Sequence, residues 1–317
     1  MPSPRISVVI PNFNYARFLP KAIRSVLNQS LSAHEIVVVD DGSTDNSREV
    51  IASFGDDVRS IFQPNGGLAS AVNEGTLAAG GDWVALLDAD DVWHPDKLAA
   101  VAENIELYPD AALVAHAVEK IDIDGEPLGT TWPLAMPSGN IARQAARCGG
   151  HWFSPPTSGL CFRRSLLQDI GPVPDGLFPD EYLPYVVAQL APVATINRPL
   201  SYWRMHDANM SRELTGVSLK RFERSLRRFR QNNHAVGDTL ARLGCDRRLS
   251  LDHLWPYQLL RSRAEDGVSP ARLIRLGLWH NADPSWARRS KSVIKNLLKI
   301  YISDRRQLRR CGNGVMS

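Results

Sequence analysis

Short apolar runs alternate with segments of helical periodicity over the first 120 residues, and this alternation limits the possible folds more than any other feature. The runs predict five strands, at Ile6–Pro11, Glu35–Asp41, Val58–Phe62, Trp83–Leu87 and Ala111–Val118. Helices are predicted between them, at Arg17–Gln29, Arg48–Phe54, Leu68–Ala79 and Pro95–Leu107. Strands that are apolar at consecutive positions are buried on both faces, as in a parallel sheet covered by helices. The sequence therefore predicts a doubly wound α/β fold with a mostly parallel sheet flanked by helices.

The chain beyond Asp122 gives weaker signals. Residues 122–150 are rich in glycine and proline and are expected to be dominated by loops. The elements predicted next are a strand at Gly159–Arg163, a helix at Asp180–Leu190 and a strand at Leu200–Met205. After Ser211, apolar residues recur at three-, four- or seven-residue intervals between Phe222 and Leu243, which predicts a helical C-terminal extension.

Polar clusters follow three of the predicted strands. They are Pro11–Tyr15, Asp40–Asp45 and Asp88–Asp91. Ligands of parallel α/β sheets bind beyond the carboxyl ends of the strands. We therefore expect the three clusters to share one ligand-binding rim.

Three carboxylates, those of Asp88, Asp90 and Asp91, crowd the end of the fourth predicted strand. Like charges at the edge of a low-dielectric core are unfavourable unless a cation or hydrogen-bond donors compensate them. Because side chains alternate along an extended segment, Asp88 and Asp90 are expected on one side, where their oxygens would suit Mg²⁺ or Mn²⁺. The alternative is a loop of solvated acids in which Asp91 caps the next helix, and the triplet alone does not decide between the two.

The composition disfavours several classes of protein. No apolar run reaches the roughly 18 residues of a membrane span, and the N-terminus lacks a basic-then-apolar leader, so a cytoplasmic location is predicted. Four cysteines share no CxxC spacing, which predicts free thiols rather than a zinc or redox site. A dinucleotide-dependent oxidoreductase is disfavoured because PNFNYA, not a GxGxxG motif, follows the first strand.

The net charge of +3 conceals an uneven distribution. Acidic residues predominate up to Ser211 and basic residues predominate after it. Within the basic part, Arg288–Arg310 has an apolar face flanked by lysine and arginine, typical either of a helix on an anionic membrane surface or of a packing helix with a solvated face. Peripheral contact with the inner membrane face is therefore one alternative. Nucleic-acid binding is not expected, because no recognised module accompanies the charge.

Four stretches occur in the order and spacing of family-2 glycosyltransferases, which this sequence resembles. They are SVVIPNFNYARFLPKAIRSVLNQS, EIVVVDDGSTDNS, QPNGGLASAVNEG and GDWVALLDADDVWHPDKL. The resemblance covers residues 5–120 strongly and 150–211 more loosely. It implies a GT-A fold and sugar transfer from a nucleotide sugar. It also divides the chain into a nucleotide-sugar-binding half (residues 1–120), an acceptor-binding half of the same domain (121–211) and a basic helical region (212–317).

The resemblance implies a binding site for a UDP-sugar and a divalent cation at the predicted rim. The implied residues are Pro11, Phe13, Asn14 and Asp41 around the base, Gly67 and Asn73 along the ribose and diphosphate, and Asp88, Ala89 and Asp90 at the ribose and the cation. Asp41 would accept a hydrogen bond from the ring N–H of uracil. Asp90 would ligate Mn²⁺ or Mg²⁺ directly, and Asp88 would reach the ribose or the cation.

The second half would supply the catalytic base. Members of the family that this sequence resembles usually carry an acid three residues before a leucine at a helix start. In GLFPDEYL, the resemblance therefore implies Asp180, three residues before Leu183, rather than the adjacent Glu181. The alternative is that both acids only stabilise the helix N-terminus by their charge. In YWRMHDANMS, the resemblance implies that Arg204 contacts the diphosphate and that His206 is a third metal ligand, although a histidine after a strand can equally be structural.

The expected function is inverting transfer of a sugar from a UDP-sugar to an acceptor hydroxyl, in the synthesis of a cell-surface glycan or polysaccharide. The acceptor would be a glycan or a lipid-linked molecule, and the sugar and the linkage stay open. The alternative is a non-catalytic nucleotide-sugar-binding scaffold of a membrane-associated assembly, which would need neither Asp90 nor Asp180. Pairing of the helix between Phe222 and Leu243 offers one route to a homodimer.

Overall fold

The computed structural model describes residues 3–206 and 219–251, with backbone alone for 219–225. These residues form nine strands: β1 (Ile6–Asn12), β2 (Glu35–Asp41), β3 (Arg59–Gln63), β4 (Trp83–Leu86), β5 (Val92–Trp93), β6 (Leu113–Ile121), β7 (Pro127–Trp132), β8 (Leu160–Arg163) and β9 (Val193–Arg204). The helices in the same residues are α1 (Leu19–Leu27), α2 (Ser47–Ala52), α3 (Leu68–Ala78), α4 (Lys97–Leu107), α5 (Ala142–Ala146), α6 (Arg164–Ile170), α7 (Pro179–Leu190) and α8 (Leu219–Arg242).

All nine strands belong to one mixed sheet, in the order β3-β2-β1-β4-β8-β6-β9-β5, with β7 paired to β6. The first four strands of that order are parallel to one another. β8 is antiparallel to both of its neighbours, while β6 and β9 are parallel. The predicted α/β fold, with a mostly parallel sheet flanked by helices, is confirmed.

Apolar side chains of β1 and β2 alternate between two hydrophobic cores, one on each face of the sheet. Val9 and Val37 belong to one core, and Val8 and Val38 belong to the other. Burial on both faces explains why these strands read as continuous apolar runs. On one face α3 lies so close that a Cβ on Gly75 would stand 2.3 Å from Cγ1 of Val9.

The structure contains elements that the sequence pattern did not predict. Residues 122–150, expected to be loops, include β7 and α5, and β9 begins seven residues before the predicted Leu200. β7 reads PLGTTW and is mostly exposed, so it lacks the apolar run that marks a buried strand. The two-residue β5 is too short for any periodicity to reveal.

The predicted C-terminal helix is present as α8, and its apolar face is buried inside the chain. Leu226, Val236 and Leu240 are at most 4% exposed, and the last two join a hydrophobic core shared with α7. These three positions are therefore not available to a second copy, and the homodimer itself stays a prediction. The basic segment Arg288–Arg310 lies outside the described residues. Among the described helices, none is both long and apolar enough to cross a bilayer.

The described cysteines agree with the prediction of free thiols. Cys148, Cys161 and Cys245 form no disulfide with one another, and the first two are buried. Burial raises the pKa of the Cys161 thiol to about 12, so this sulfur is inert at neutral pH. The fourth cysteine, Cys311, lies outside the described residues.

Candidate functional site

The loops after β1 and β2 lie side by side, as the parallel register of these strands requires. Asn12 pairs with Asp40 in the sheet. The next loop residue but one, Asn14, has a positive φ of 58°. Its side-chain oxygen accepts the backbone N–H groups of Thr44 (2.7 Å) and Asp45 (3.3 Å). The loop predicted to hold the nucleotide base is thus fixed to its neighbour, with Phe13 43% exposed at its tip.

Asp40 and Asp41, at the end of β2, are buried and supplied with hydrogen-bond donors. Oδ1 of Asp41 accepts from the Gln63 side chain (2.6 Å) and the Gly66 N–H (2.8 Å), and Oδ2 accepts the Gly67 N–H (2.8 Å). The carboxylate of Asp40 accepts from the Asn12 side chain and from the Ser43 N–H. These acids hold together the loops that precede α2 and α3.

The three acids after β4 form a compact group of carboxylates. One oxygen from each of Asp88, Asp90 and Asp91 can be chosen so that all three atoms lie within 4.8 Å of one another. The convergence does not arise from strand alternation as predicted, because β4 ends at Leu86 and a turn follows, closed by the Asp91 N–H bonding to the Asp88 carbonyl (3.0 Å). The alternative in which Asp91 caps a helix is wrong, since its carboxylate is buried in this group and α4 begins only at Lys97.

A segment just before β8 braces the three acids from behind. The Ser158 hydroxyl donates to Oδ2 of Asp91 (2.6 Å) and accepts the backbone N–H of Asp88 (3.1 Å). The Thr157 side chain contributes a hydrogen bond to the Asp88 carboxyl. The acids that this segment contacts lie about 70 residues away in sequence, so the contacts left no local signal.

A buried lysine lies behind Ser158. Lys97 has no exposed surface, and its Nζ lies over the Trp93 ring. The same Nζ donates a hydrogen bond to the Ser158 carbonyl (3.3 Å), which also accepts one from the Ser201 hydroxyl (2.8 Å). Burial lowers its pKa well below the usual value. Sequence reasoning did not single out this residue, because a lysine near a helix start is normally solvated.

The electrostatics of the acid group reflect burial and mutual repulsion. Burial is the main cause that raises the pKa of Asp88 well above its usual value, and the nearby Asp91, Asp90 and Asp180 raise it further. The pKa of Asp91 is also well above normal, through burial and the charge of Asp90. Burial and the same acids raise the pKa of Tyr15, which places its hydroxyl near the group. Burial and mutual repulsion therefore favour the protonated forms of Asp88 and Asp91.

His206 lies beside Asp90, as predicted. Its Nε2 is 2.8 Å from Oδ2 of Asp90, and its ring stacks on Phe18 at a centroid distance of 5.2 Å, with Tyr15 edge-on at 5.7 Å. The oxygen ligands that converge at this site are nevertheless those of the three carboxylates. Three converging hard oxygen ligands fit Mg²⁺ or Mn²⁺. The role of His206 as a metal ligand stays a prediction.

Arg204, predicted to contact a diphosphate, holds the backbone of the site. Its Nε donates to the Asp90 carbonyl (2.8 Å), and its Nη1 donates to the carbonyls of Asp122 (3.2 Å) and Ile123 (2.9 Å). Its backbone N–H also donates to Asp91 (2.8 Å). This arginine is 1% exposed and joins the acid turn to the hairpin between β6 and β7.

The other residues predicted to bind the nucleotide sugar include Gly67, Asn73 and Ala89. Gly67 precedes α3 with a φ of 85° and points its N–H at Asp41. The amide of Asn73 both donates to the carbonyl and accepts from the N–H of Val173, which ties α3 to the loop before α7. Ala89 is buried within the acid turn. Contacts of these residues with a nucleotide sugar stay predictions.

Asp180 lies in the first turn of α7 and is close enough to Asp88 for its charge to act there. Burial, followed by the charge of Glu181, raises the pKa of Asp180 to about 7, and Arg228 opposes that rise. Glu181 forms an ion pair with Arg228 of α8. The predicted base and the predicted metal ligand Asp88, distant in sequence, are thus close enough for their charges to interact.

Comparison with known proteins shows what the chain is similar to. The model of the family described as glycosyl transferase family 2 matches residues 7–171. A glycosyltransferase of Nostoc sp. that is itself uncharacterized is 38% identical over 264 residues, covering 80% of this chain and 81% of its own length. The chondroitin synthase of Pasteurella multocida is 34% identical over 135 residues, which cover 41% of this chain but only 14% of that enzyme. The crystal structure of S. aureus TarS 1–349 in complex with UDP-GlcNAc shares the fold, with a TM-score of 0.59 and 18% identity over 87% of this chain and 80% of that one.

Proposed function

Because the chain belongs to glycosyl transferase family 2, we propose that it transfers a sugar from a UDP-sugar to an acceptor hydroxyl, with inversion at the anomeric carbon. Sugar transfer from a nucleotide sugar follows from membership of the family. The uridine nucleotide, the inversion and the dependence on a cation are the parts proposed here.

One observation carries the proposal: Asp180 is close enough to the acid group of Asp88, Asp90 and Asp91 for its charge to raise the pKa of Asp88. Inverting transfer needs a diphosphate-binding site on one side of the anomeric carbon and a base for the acceptor on the other. The two acidic groups come from different elements, the turn after β4 and the start of α7.

The acid group is proposed to hold Mn²⁺ or Mg²⁺ through Asp88 and Asp90, with Asp91 as a further carboxylate. Raised pKa values and the convergence of three oxygens support this choice, since a dication relieves the repulsion among them. When bound, the ion would offset the negative charge of the departing diphosphate.

Asp180 is proposed to remove the proton of the acceptor hydroxyl as that oxygen attacks the anomeric carbon. The pKa of about 7 suits this task, because a general base is most effective when its pKa lies near the working pH. Burial raises the pKa of Glu181 as well, but Glu181 is less suited because its carboxylate is already engaged in an ion pair with Arg228.

The donor is proposed to be a UDP-sugar because the TarS structures that share this fold hold UDP-GlcNAc and UDP. The acceptor is proposed to be a glycan, or a lipid-linked precursor of one, since the chondroitin and hyaluronan synthases of Pasteurella multocida match part of this chain. A cytoplasmic enzyme with peripheral contact to the inner membrane face would fit that role.

A screen of UDP-sugars that measures released UDP, with Mn²⁺, Mg²⁺ or a chelator, tests the proposal. We expect release from one or a few donors in the presence of the ions and none with chelator. Asp180→Asn should bind UDP with unchanged affinity and lose transfer by about a hundredfold or more, the usual contribution of a general base. UDP binding without release from any donor in the wild type would instead favour the non-catalytic scaffold.

A further inference from the structure

The two adjacent acids at the start of α7 differ in how α8 contacts them. Arg228 forms an ion pair with Glu181, and the side chains are only 23% and 22% exposed. Nδ2 of Asn232 also donates to the Glu181 carbonyl (3.1 Å). No side chain in the described part of the chain donates a hydrogen bond to Asp180. One acid is therefore held by α8, whereas the charge of the other acts on Asp88 beyond β4.

Further contacts fix α8 against the helix that carries these acids. The Arg228 guanidinium lies 4.5 Å from the ring centroid of Phe178, the residue that precedes α7. The hydroxyl groups of Tyr182 and Thr239 are 2.6 Å apart. At the end of α8, Arg242 donates to carbonyls in the last turn of α6. The contacts span about four turns of α8, so its position relative to the α7 first turn is well defined.

We propose that α8 is a positioning element of the catalytic site, and that Arg228 determines which acid of the α7 first turn serves as the base. By neutralising and holding Glu181, Arg228 leaves Asp180 as the acid that meets the acceptor hydroxyl. This inference rests on the proposed function, in which Asp180 takes up the acceptor proton. Arg228 itself touches neither the proposed donor nor the reacting atoms.

The charges around Asp180 explain why Arg228 matters for the reaction. The groups that face it are Glu181 and Tyr185 on α7, Arg228 on α8 and Asp88 beyond β4. Glu181 favours the protonated form of Asp180, and Arg228 opposes this effect. Without Arg228, the uncompensated Glu181 would keep Asp180 protonated to higher pH, and a protonated carboxyl cannot accept a proton.

The pH dependence of UDP release with Mn²⁺ tests the inference in full-length protein. The acidic limb of the pH–rate profile is the range in which activity falls because Asp180 becomes protonated. In Arg228→Met, this limb should move to higher pH by about one unit, an order-of-magnitude expectation for a neighbouring like charge. The rate should fall about tenfold at pH 6 and change little at pH 9. In Glu181→Gln, the limb should move downward, because Arg228 then acts on Asp180 alone. The double variant Arg228→Met/Glu181→Gln should return close to the wild-type profile.

Arg242→Met is the matched control, since it removes an arginine of the same helix that contacts α6 rather than α7. It should lower the Tm while leaving the acidic limb in place. Arg228→Lys keeps the charge and should keep the wild-type limb, which provides a folded variant if Arg228→Met does not fold. An unmoved limb in Arg228→Met, or a loss of rate that Glu181→Gln does not restore, would overturn the inference.

A titration without any donor separates this inference from the proposed function. Carboxyl ¹³C NMR of aspartate-labelled protein, with the Asp180 signal assigned through Asp180→Asn, reports the pKa of Asp180 directly. The same opposite shifts are expected in Arg228→Met and Glu181→Gln. If no UDP-sugar is cleaved by the wild type, the proposed function fails while this titration still decides whether Arg228 controls Asp180.

Discussion

Two acidic clusters end strands on either side of β1, and they are stabilised in opposite ways. Asp41, after β2, receives hydrogen bonds from the Gln63 side chain and from the backbone of Gly66 and Gly67. The acids after β4 are braced at Asp91 by Ser158 and a backbone N–H, yet burial and mutual repulsion raise the pKa of Asp88 and Asp91 well above normal. The clusters share a rim and a residue type but differ in the supply of donors.

This difference indicates what each cluster is for. A carboxylate that accepts hydrogen bonds from a side-chain amide and two backbone N–H groups fixes loops and has less capacity left for a cation. Carboxylates that converge and repel one another raise the energy of the ligand-free protein and gain when a dication binds. The groups that contact the acids at a strand end are therefore a better guide to the role of the cluster than the number of acids.

Asp90→Ala should have the largest effect, because it removes a proposed direct ligand of the cation. We expect UDP release to fall by about a thousandfold, equivalent to the several kcal/mol that a metal ion contributes to charge stabilisation in a transition state. The measurement is the initial rate at saturating Mn²⁺, with circular dichroism to confirm folding. Activity within tenfold of the wild type would contradict the proposal that the acids after β4 hold a catalytic cation.

Asp41→Ala should instead act on stability. The substitution leaves two backbone N–H groups without their acceptor and removes one of the hydrogen bonds of the Gln63 amide, which still donates to Ser70. We expect a cost of about 2–3 kcal/mol in the free energy of unfolding. Urea denaturation gives the value directly. Asp124→Ala is the control, since this exposed acid contacts only Arg17 among described ion-pair partners, at 3.7 Å, and should change stability by less than about 0.5 kcal/mol. Equal effects of the two substitutions would contradict the structural role of Asp41.

Ser158→Ala tests the brace behind the acid group. Without the Ser158 hydroxyl, the Asp91 carboxylate and the Asp88 backbone N–H lose the partner that they share. We expect the affinity for Mn²⁺ to fall about tenfold, as when residues that orient metal ligands are removed. Isothermal titration calorimetry with Mn²⁺ measures the change. Ser201→Ala, which removes a donor to the Ser158 carbonyl but leaves both hydroxyl contacts in place, should have a smaller effect.

The pH dependence of stabilisation by Mn²⁺ should show the smallest effect. In the ligand-free folded protein, the pKa values of Asp88 and Asp91 are raised above those of the unfolded chain. At a pH between the two values, the folded state binds protons that the unfolded state has lost. The stability that these groups contribute is therefore lost as the pH rises. Mn²⁺ must displace those protons, and the gain in Tm should be about 3 °C larger at pH 8 than at pH 5.5.

Only the difference in Tm with and without Mn²⁺ is informative in this experiment. Lys97 and His116 are buried with lowered pKa values, His116 at about 3, so their contribution to stability rises with pH and opposes that of the acids. Both contributions cancel when the two Tm values at one pH are subtracted. A gain that is equal at both pH values, or larger at pH 5.5, would contradict the proposed competition between protons and the cation.

The sequence predicted the parts of the fold that depend on local patterns. Continuous β-branched runs located β1 and β2, and the bounds of β2 were correct at both ends. The positions of polar clusters after strands located the rim and the acids Asp88 and Asp90. In contrast, β7 was missed because an exposed strand with proline and glycine carries no apolar pattern.

The interactions that distinguish functional from structural acids come from distant parts of the chain. Ser158 approaches Asp91 across 67 positions, and Arg228 approaches Glu181 across 47. Neither contact follows from periodicity or from a motif, because each depends on how helices and loops pack once the sheet has formed. The turn that brings Asp91 to Asp88 was also missed, since the period-two argument assumed an extended backbone.

The close seating of α3 on the sheet has a consequence for recognising active members of this family. A Cβ at Gly75 would stand 2.3 Å from Val9 and 3.2 Å from Val39, so a larger residue would push the helix outward. Gly67 and Asn73 would move with it, although no residue proposed to touch sugar or nucleotide had been exchanged. Divergent sequences that keep every acidic motif but replace this glycine are therefore candidates for folded pseudoenzymes.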